Sequence, residues 1–439
     1  MTSSRNRSGR GRAQKKSRSG RKQPTTEVVT TISSLGRHGH GIAETTEGRV
    51  YVPFALPQET ARIRVAGDRG EIIEILQAAD NRVDPACPHF GECGGCAVQH
   101  AQRDFYLKWK HEIVELALRY QGLEAEVEPI VDAHGAGRRR VTLHARRDGG
   151  QVLVGFMQAK SHKLKDIRSC PVLSPGLSGG INLTRRLAGQ LLTSGQEMDV
   201  QLTETDAGID CHVICGRVSG PLGYEQHMAL ADFADESDLA RLTMDGDLLS
   251  ERRKPKIGVG PATVTVPVGG FLQATDEGER VLSDLVIDQF TLANAHSVAD
   301  LFCGIGSYAL RAAGQASVFA ADSSRASIDA LVAAARHTPG LKPVEAVVRD
   351  LFENPVPTDE LNAFDGIVFN PPRIGAPAQS VEIAQSTVPV VVAVSCDPST
   401  FARDARVLVD GGYKLERVVA VDQFKWAAHV EVVGLFRRL

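Results

Sequence analysis

The sequence predicts an α/β protein in three parts: a small β-barrel at the front, a β-rich middle, and a doubly wound, largely parallel sheet at the back. Three observations carry this. Short alternating segments punctuated by glycines run from Thr25 to about Leu76, the pattern of a small closed barrel. From about Ile257 onward, apolar strand-like runs alternate with helical intervals, the signature of βαβ units whose ligands sit at the carboxyl ends of the strands. At 439 residues the chain is also too long for one ordinary core.

Charge is distributed unevenly. Residues 1–23 hold nine Lys or Arg and no acid, leaving 41 basic residues against 53 acidic ones behind them. With only Met1 and Ala13 as apolar side chains, this stretch cannot bury surface and reads as a disordered basic tail suited to phosphate backbones. No apolar run approaches the ~20 residues of a membrane span, and no apolar signal segment opens the chain. A cytoplasmic protein without a membrane partner is expected. Eight cysteines, three of them crowded at Cys87, Cys93 and Cys96, point to metal or catalysis rather than a disulfide framework.

Taken in order, residues 1–24 form the tail and 25–80 the barrel. Barrel strands are expected at Val28–Ile32, Val50–Phe54, Ala61–Val65 and Glu71–Ile75. A central domain, 81–255, opens on Cys87-x5-Cys93-x2-Cys96, with Gly91, Gly94 and Gly95 letting the backbone fold closely around a bound centre. Phe105, Trp109, Ile113 and Leu116 then recur at helical spacing up to Gly122. The strand pair 141–145 and 152–156 can return the chain so that Cys170 completes a set of four thiols. Four thiolates suit zinc or an iron-sulfur cluster. Basic side chains at Arg138, Arg139, Arg140, Lys160, Lys163 and Lys165, with His144 and His162 between them, are candidates for tracking RNA phosphates. Cys211 and Cys215 read as buried and inert.

In the last part, 256–439, strands are expected at Ser297–Phe302, Ser317–Ala321, Val344–Val348, Gly366–Phe369 and Val390–Val394, with a helix over Ser327–Arg336. Asp300-x-Phe302-x-Gly304-x-Gly306 ends the first of these strands, where glycines admit a ligand close to the backbone. Asp322 ends the second, suiting a ribose diol, and Asp350 ends the third, placed to meet an adenine. Cys396 follows the apolar run 388–394 as a candidate nucleophile, and His429-x-Glu431 supplies a candidate base. Cys303, inside the glycine loop, reads as a packing residue.

Together, the Asp300–Gly306 loop, Ser395-Cys396-Asp397-Pro398 and Asp422-Gln423-Phe424 followed by His429-x-Glu431 resemble the class I RNA uracil-C5 methyltransferases. The resemblance implies a Rossmann-like domain binding S-adenosylmethionine, with contacts from Gln273 (in Phe271-Leu272-Gln273), Phe302, Gly304, Gly306, Ser307, Asp322, Asp350 and Asn370. It implies Cys396 as the nucleophile on uracil C6 and Glu431 as the base that removes the C5 proton. The Gly36–Ala43 run resembles a TRAM domain, an OB-like RNA-binding barrel, and Cys87, Cys93, Cys96 and Cys170 resemble the 4Fe-4S ligands of the members acting on 23S rRNA. A monomer acting on 23S rRNA is expected. Asn370 departs from the pattern, since these enzymes commonly carry Asp there. A tRNA uracil-C5 enzyme, an amino-directed RNA methyltransferase and a non-catalytic RNA-binding factor stand as alternatives.

Overall fold

The computed structural model describes residues 25–159, 161–215 and 222–438, so the basic tail and Lys160 lie outside the described residues. Its residues fall into two compact units, one comprising 25–34 with 41–79, the other 35–40 with everything from Asp80. In the first, alternation closes a barrel from β1 (Thr26–Leu35), β2 (His40–Thr45), β3 (Gly48–Pro53), β4 (Thr60–Ala66) and β5 (Arg69–Gln77), in the order β1-β2-β3-β5-β4. Ile32, Val50, Val52, Ala61, Ile63 and Val65 fill its interior, as period-2 side chains on one face must. Strand β2 is the one the alternation does not announce.

The second unit begins with α1 (Arg103–Tyr120) and β6 (Val127–Asp132). The buried face of α1 carries Tyr106, Trp109, Lys110, Ile113, Val114 and Leu118. It is rotated from the expected stripe: Leu116 is exposed and Lys110 is wholly buried, because an ion partner awaits the lysine. A seven-stranded sheet follows, from β7 (Arg140–Asp148), β8 (Gln151–Met157), β9 (Leu164–Asp166), β10 (Glu197–Thr205), β11 (Gly208–Ile214), β12 (Arg241–Met244) and β13 (Asp247–Glu251), in the order β13-β12-β11-β10-β7-β8-β9. Helices α2 (Gly180–Leu191) and α3 (Tyr224–Glu236) pack on it, and Cys211 and Cys215 lie buried in this core.

Several of the expected phosphate-tracking groups are spent internally. Arg139 is buried against Glu279 and Asp276, Lys165 pairs with Glu92 at 2.6 Å, and His144 lies 2.6 Å from Asp199. A run of basic residues on alternating faces of a strand divides between core and solvent, which charge counting cannot foresee.

A hairpin of β14 (Lys256–Val259) and β15 (Ala262–Thr265) leads to α4 (Asp276–Leu292). The chain then runs through β16 (Ser297–Leu301), α5 (Ala309–Ala312), β17 (Ser317–Asp322), α6 (Arg325–His337), β18 (Val344–Val348), α7 (Thr358–Leu361), β19 (Gly366–Phe369), α8 (Pro377–Gln385) and β20 (Val390–Ser395). It ends with α9 (Pro398–Asp410), β21 (Tyr413–Asp422) and β22 (Glu431–Arg438). The eight-stranded sheet has the order β18-β17-β16-β19-β20-β22-β21-β6. Strands β16 to β20 pair in parallel, while β22 runs antiparallel to both β20 and β21. Strand β6 joins the edge, parallel to β21, so this sheet draws one strand from far upstream of residue 256. Val390, Val392 and Val394 share a core with α4, α5 and α6. Phe401 of α9 packs on the opposite face, against Gly434. Among the described residues, no helix is long and apolar enough to cross a membrane.

One buried ion pair ties α1 to the end of β21. Lys110 and Asp422, both fully buried, meet directly, and Tyr106 Oη donates to Asp422 Oδ2 at 2.6 Å. Burial lowers Lys110 to about 8 against the pull of Asp422. Burial works to raise Asp422, yet His134 and Lys110 hold it at about 2, so both are charged at neutral pH. Replacing Lys110 by Met strands a buried carboxylate and is expected to lower stability by about 3–5 kcal/mol, read as a shift in the urea midpoint at unchanged slope.

Candidate active site

The parallel ladder brings the ends of β16, β17, β18 and β19 to one edge of the sheet, the end at which folds of this kind bind their ligands. Asp300 is buried and accepts the Ala309 amide of α5 at 2.8 Å; burial lifts its carboxyl to about 8. The backbone then turns sharply: Phe302 has φ 62° and Gly306 φ 90°. A Cβ on Gly306 would collide with Leu331 Cδ1, so position 306 is restricted by both conformation and space. No atom lies within 4 Å of where a Cβ on Gly304 would sit, which leaves that backbone face open. Asp322 accepts the Gly304 amide at 3.0 Å and the Ser324 amide at 2.8 Å. Asp350, exposed beyond β18, accepts the Phe352 amide at 2.9 Å, and the Phe302 and Phe352 rings lie 5.5 Å apart. The Asn370 amide binds Leu301 O at 3.2 Å, and its side chain donates to Tyr308 Oη at 3.4 Å. Thus Phe302, Gly304, Gly306, Ser307, Asp322, Asp350 and Asn370 gather at one sheet edge.

Cys396 follows β20, whose six residues are all buried. Asp397 caps α9, accepting the Ser399 amide at 2.8 Å and the Thr400 amide at 3.3 Å, with Pro398 in the first helical turn. The antiparallel ladder ends at the pair Ser395–Val432; Cys396 and Glu431 are the next residues along the two chains, near enough for the Glu431 charge to act on the thiol. Burial, with the Glu431 charge adding to it and Arg373 opposing, lifts the Cys396 thiol to about 11. Burial also lifts Glu431 to about 7, against a hydrogen bond from Gln423. His429 is lowered to about 4 by burial and by the charge of Arg373, whose Nη2 lies 3.2 Å from His429 Nε2. His429 stands in the loop before β22 rather than sharing a strand face with Glu431. Cys303 is buried with its thiol pushed up by burial, as a packing residue would be.

Two residues outside the expected set complete this edge. Gln423 Nε2 donates to Glu431 Oε1 at 2.9 Å and to Gln273 Oε1 at 2.7 Å. Gln273 is thereby joined to Glu431, and its carbonyl accepts Arg139 Nε at 3.3 Å. Trp426, at φ 60°, has its amide on Tyr106 Oη at 2.9 Å and its carbonyl on the Ala97 and Val98 amides at 2.8 and 3.1 Å. A polar residue directly after a buried strand was the available signal for Gln423; a tryptophan in a loop offered none.

The same two amides follow Cys96. Cys87, Cys93, Cys96 and Cys170 line one cavity of about 250 Å³ with Phe90, Arg138 and Phe156. The Gly94 amide reaches Met157 O at 3.1 Å, and a Cβ there would lie 2.5 Å from that oxygen, so the loop can seat on β8 only through glycine. Burial lifts Cys96 to about 11, and its neighbouring thiols add to the rise. Among the described residues, no three His, Cys, Asp or Glu side chains converge as a bare metal ion requires, with sulfurs roughly 2.3 Å from one centre. Four thiols around one cavity are a donor set that zinc or an iron-sulfur cluster could use, and either would relieve their mutual repulsion as thiolates.

The sheet order, the reversed β22 and the glycine loop at the strand ends define an α/β methyltransferase. Comparison with known proteins narrows this. Residues 358–438 match the family model described as tRNA (Uracil-5-)-methyltransferase. An uncharacterized RNA methyltransferase of Caulobacter vibrioides is 44% identical over 93% of this chain and 99% of its own. The 23S rRNA (uracil(1939)-C(5))-methyltransferase RlmD of Dechloromonas aromatica is 30% identical over 93% and 99%. The Pyrococcus abyssi tRNA (uracil-54, C5)-methyltransferase, solved with S-adenosyl-L-homocysteine, shares the fold at TM-score 0.71 and 21% identity, covering 93% of this chain and 100% of that one. The chain belongs to the RNA uracil-C5 methyltransferase family.

The electrostatics of Cys396 can be read by alkylation. At pH 8 the thiol is expected to react slowly, being held near 11. Replacing Glu431 by Gln removes a repelling charge and should speed the reaction, whereas replacing Arg373 by Met should slow it, as followed by mass spectrometry of the Cys396 peptide.

Proposed function

We propose that this protein methylates C5 of a uridine in 23S rRNA through a covalent link between Cys396 and ring C6. The observation that supports the reading is the nearness of Cys396 and Glu431 at the end of the β20–β22 ladder, since neither group is needed to methylate an exocyclic amine. Uracil C5 is too weak a nucleophile to attack a sulfonium methyl unaided. When the Cys396 thiolate adds to C6, the C5–C6 π electrons move onto the base as an enolate. Bound S-adenosylmethionine supplies an electrophilic methyl group, and C5 bonds to that carbon as the donor's sulfonium leaves as a thioether. Glu431 then takes the C5 proton, the C5–C6 double bond returns, and the Cys396 thiolate departs. The products are 5-methyluridine, S-adenosylhomocysteine and one proton.

For the donor, Asp322 is assigned to the ribose diol and Asp350 to the adenine. Phe302, Gly304, Gly306, Ser307 and Asn370 are assigned to the adjoining wall, and Gln273, joined through Gln423 to Glu431, to the same donor. Asn370 keeps the polarity of the family's aspartate without its charge. The uridine must leave its stack so that groups can reach both ring faces. The 23S target follows the similarity to RlmD over nearly the whole of both chains. The barrel is read as a TRAM-type RNA-binding module, and Cys87, Cys93, Cys96 and Cys170 as the ligands of a 4Fe-4S cluster. A tRNA target is the second reading, favoured by the family model over 358–438.

Three outcomes test the proposal. Incubated with S-adenosylmethionine and 5-fluorouracil-substituted total RNA, the protein should form a denaturation-resistant adduct, because fluorine at C5 cannot leave as a proton. Cys396→Ala should abolish it, and sequencing the trapped RNA distinguishes 23S rRNA from tRNA. Because the Cys396 thiolate fraction also rises with pH, ionisation of Glu431 should show as a bend near pH 7, turnover falling more steeply below it, and this bend should be missing from the residual turnover of Glu431→Gln. Protein purified without oxygen should carry iron and acid-labile sulfide in equal amounts, lost together in Cys96→Ala; zinc alone would overturn the cluster assignment.

A further inference from the structure

Gln423 is 1% exposed, the first residue past β21, and its terminal amide is fully committed. Its nitrogen has two protons, and two acceptors stand at hydrogen-bond distance: Glu431 Oε1 at 2.9 Å and Gln273 Oε1 at 2.7 Å. Its oxygen faces the Thr275 amide at 3.4 Å. Thr275 is itself fixed by donating from its hydroxyl to Ala133 O at 2.7 Å. Turning the amide over would aim its oxygen at a carboxylate and an amide oxygen, and its NH2 at an N–H, so one orientation is enforced. Gly278 leaves room for the side chain: a Cβ there would lie 2.6 Å from Gln423 Oε1.

The consequence falls on Glu431. One carboxylate oxygen is engaged by Gln423, which leaves the other, Oε2, as the proton acceptor and restrains rotation of the group. We propose that Gln423 is a positioning residue for Glu431, clamped in turn by Gln273, which holds Oε2 ready for the C5 proton. The inference rests on the covalent uracil-C5 reading above. It assigns Gln423 to the final step alone, removal of the C5 proton with expulsion of the Cys396 thiolate, and not to addition of the thiolate or transfer of the methyl group.

That assignment has a signature that general loosening of the site lacks. Full-length protein would be given S-adenosylmethionine with a labelled methyl group and either a uridine-containing 23S rRNA transcript or its 5-fluorouridine counterpart. In Gln423→Met, and in Gln423→Leu as a second packing of the same volume, turnover on the uridine transcript should fall about tenfold to hundredfold. The rate of labelled adduct formation on the fluorouridine transcript should not change. A labelled, denaturation-resistant adduct should accumulate on the ordinary uridine transcript, where wild type leaves none. Because the Gln423 hydrogen bond lowers the Glu431 carboxyl, its loss should also move the bend in turnover to higher pH. Unchanged turnover would overturn the assignment, as would a fluorouridine adduct that falls in parallel with turnover in both variants. Failure of wild type to form any fluorouridine adduct would instead overturn the covalent reading, and the inference with it.

Discussion

Strand β22 lies between β20 and β21 and runs against both. In an antiparallel ladder each step along one strand is a step back along the other. Residues far apart in the chain are therefore brought together by register, and the end of this ladder, at Ser395–Val432, brings Cys396 and Glu431 near one another. The register is held by burial, with β20 wholly inside and Val432, Val433, Leu435 and Phe436 inside on β22. Both faces are covered, so a one-residue slip would swap side chains between the two packed layers and set a larger residue where Gly434 admits Phe401, at roughly 1–3 kcal/mol for each overpacked position. The core thus fixes the strand ends beside which Cys396 and Glu431 stand.

The loop from Gln423 to Val430 is held differently. It carries Trp426 in the left-handed region, a conformation costing about 1–3 kcal/mol for a bulky residue. Lys110 and Tyr106 of α1 grip Asp422 at its start, and the backbone after Cys96 grips Trp426. A buried ion pair adds little net stability but is costly to break, so its effect is to fix a position. The cysteine cavity and the reacting edge share this loop, with Arg138 lining the cavity and lying 5.6 Å from the Phe424 ring.

The same apolar surroundings lift Cys396 and Glu431 together, and each negative charge disfavours the other. The proposed reaction needs the two charges in turn rather than at once. The thiolate is required first, and once it is tied up as a thioether its charge is gone. Ionisation of Glu431 then becomes easier at the step where a base is needed. Arg373, near both the thiol and His429, eases the first ionisation.

Much of the fold was legible because it rests on local periodicity. Alternation at 28–32, 50–54, 61–65 and 71–75 specified the barrel, and the apolar runs at 297, 317, 344, 366 and 390 matched β16 to β20 within a residue or two. The glycine loop with Asp322, and Cys396 after a buried strand, were legible as well, since turn chemistry and strand ends are written in neighbouring residues. What stayed hidden depends on distant partners. The reversal of β22, the recruitment of β6, the burial of Lys110 by Asp422 and the spending of Arg139 on Glu279 are long-range pairings that leave no local pattern. Gln423 could be seen as part of a motif, but only the folded chain brings Gln273 and Glu431 to its one amide. Sequence determined the elements and the chemical types of the reacting groups; tertiary structure decided which groups face each other, because antiparallel register and buried charge pairing are properties of contacts and not of composition.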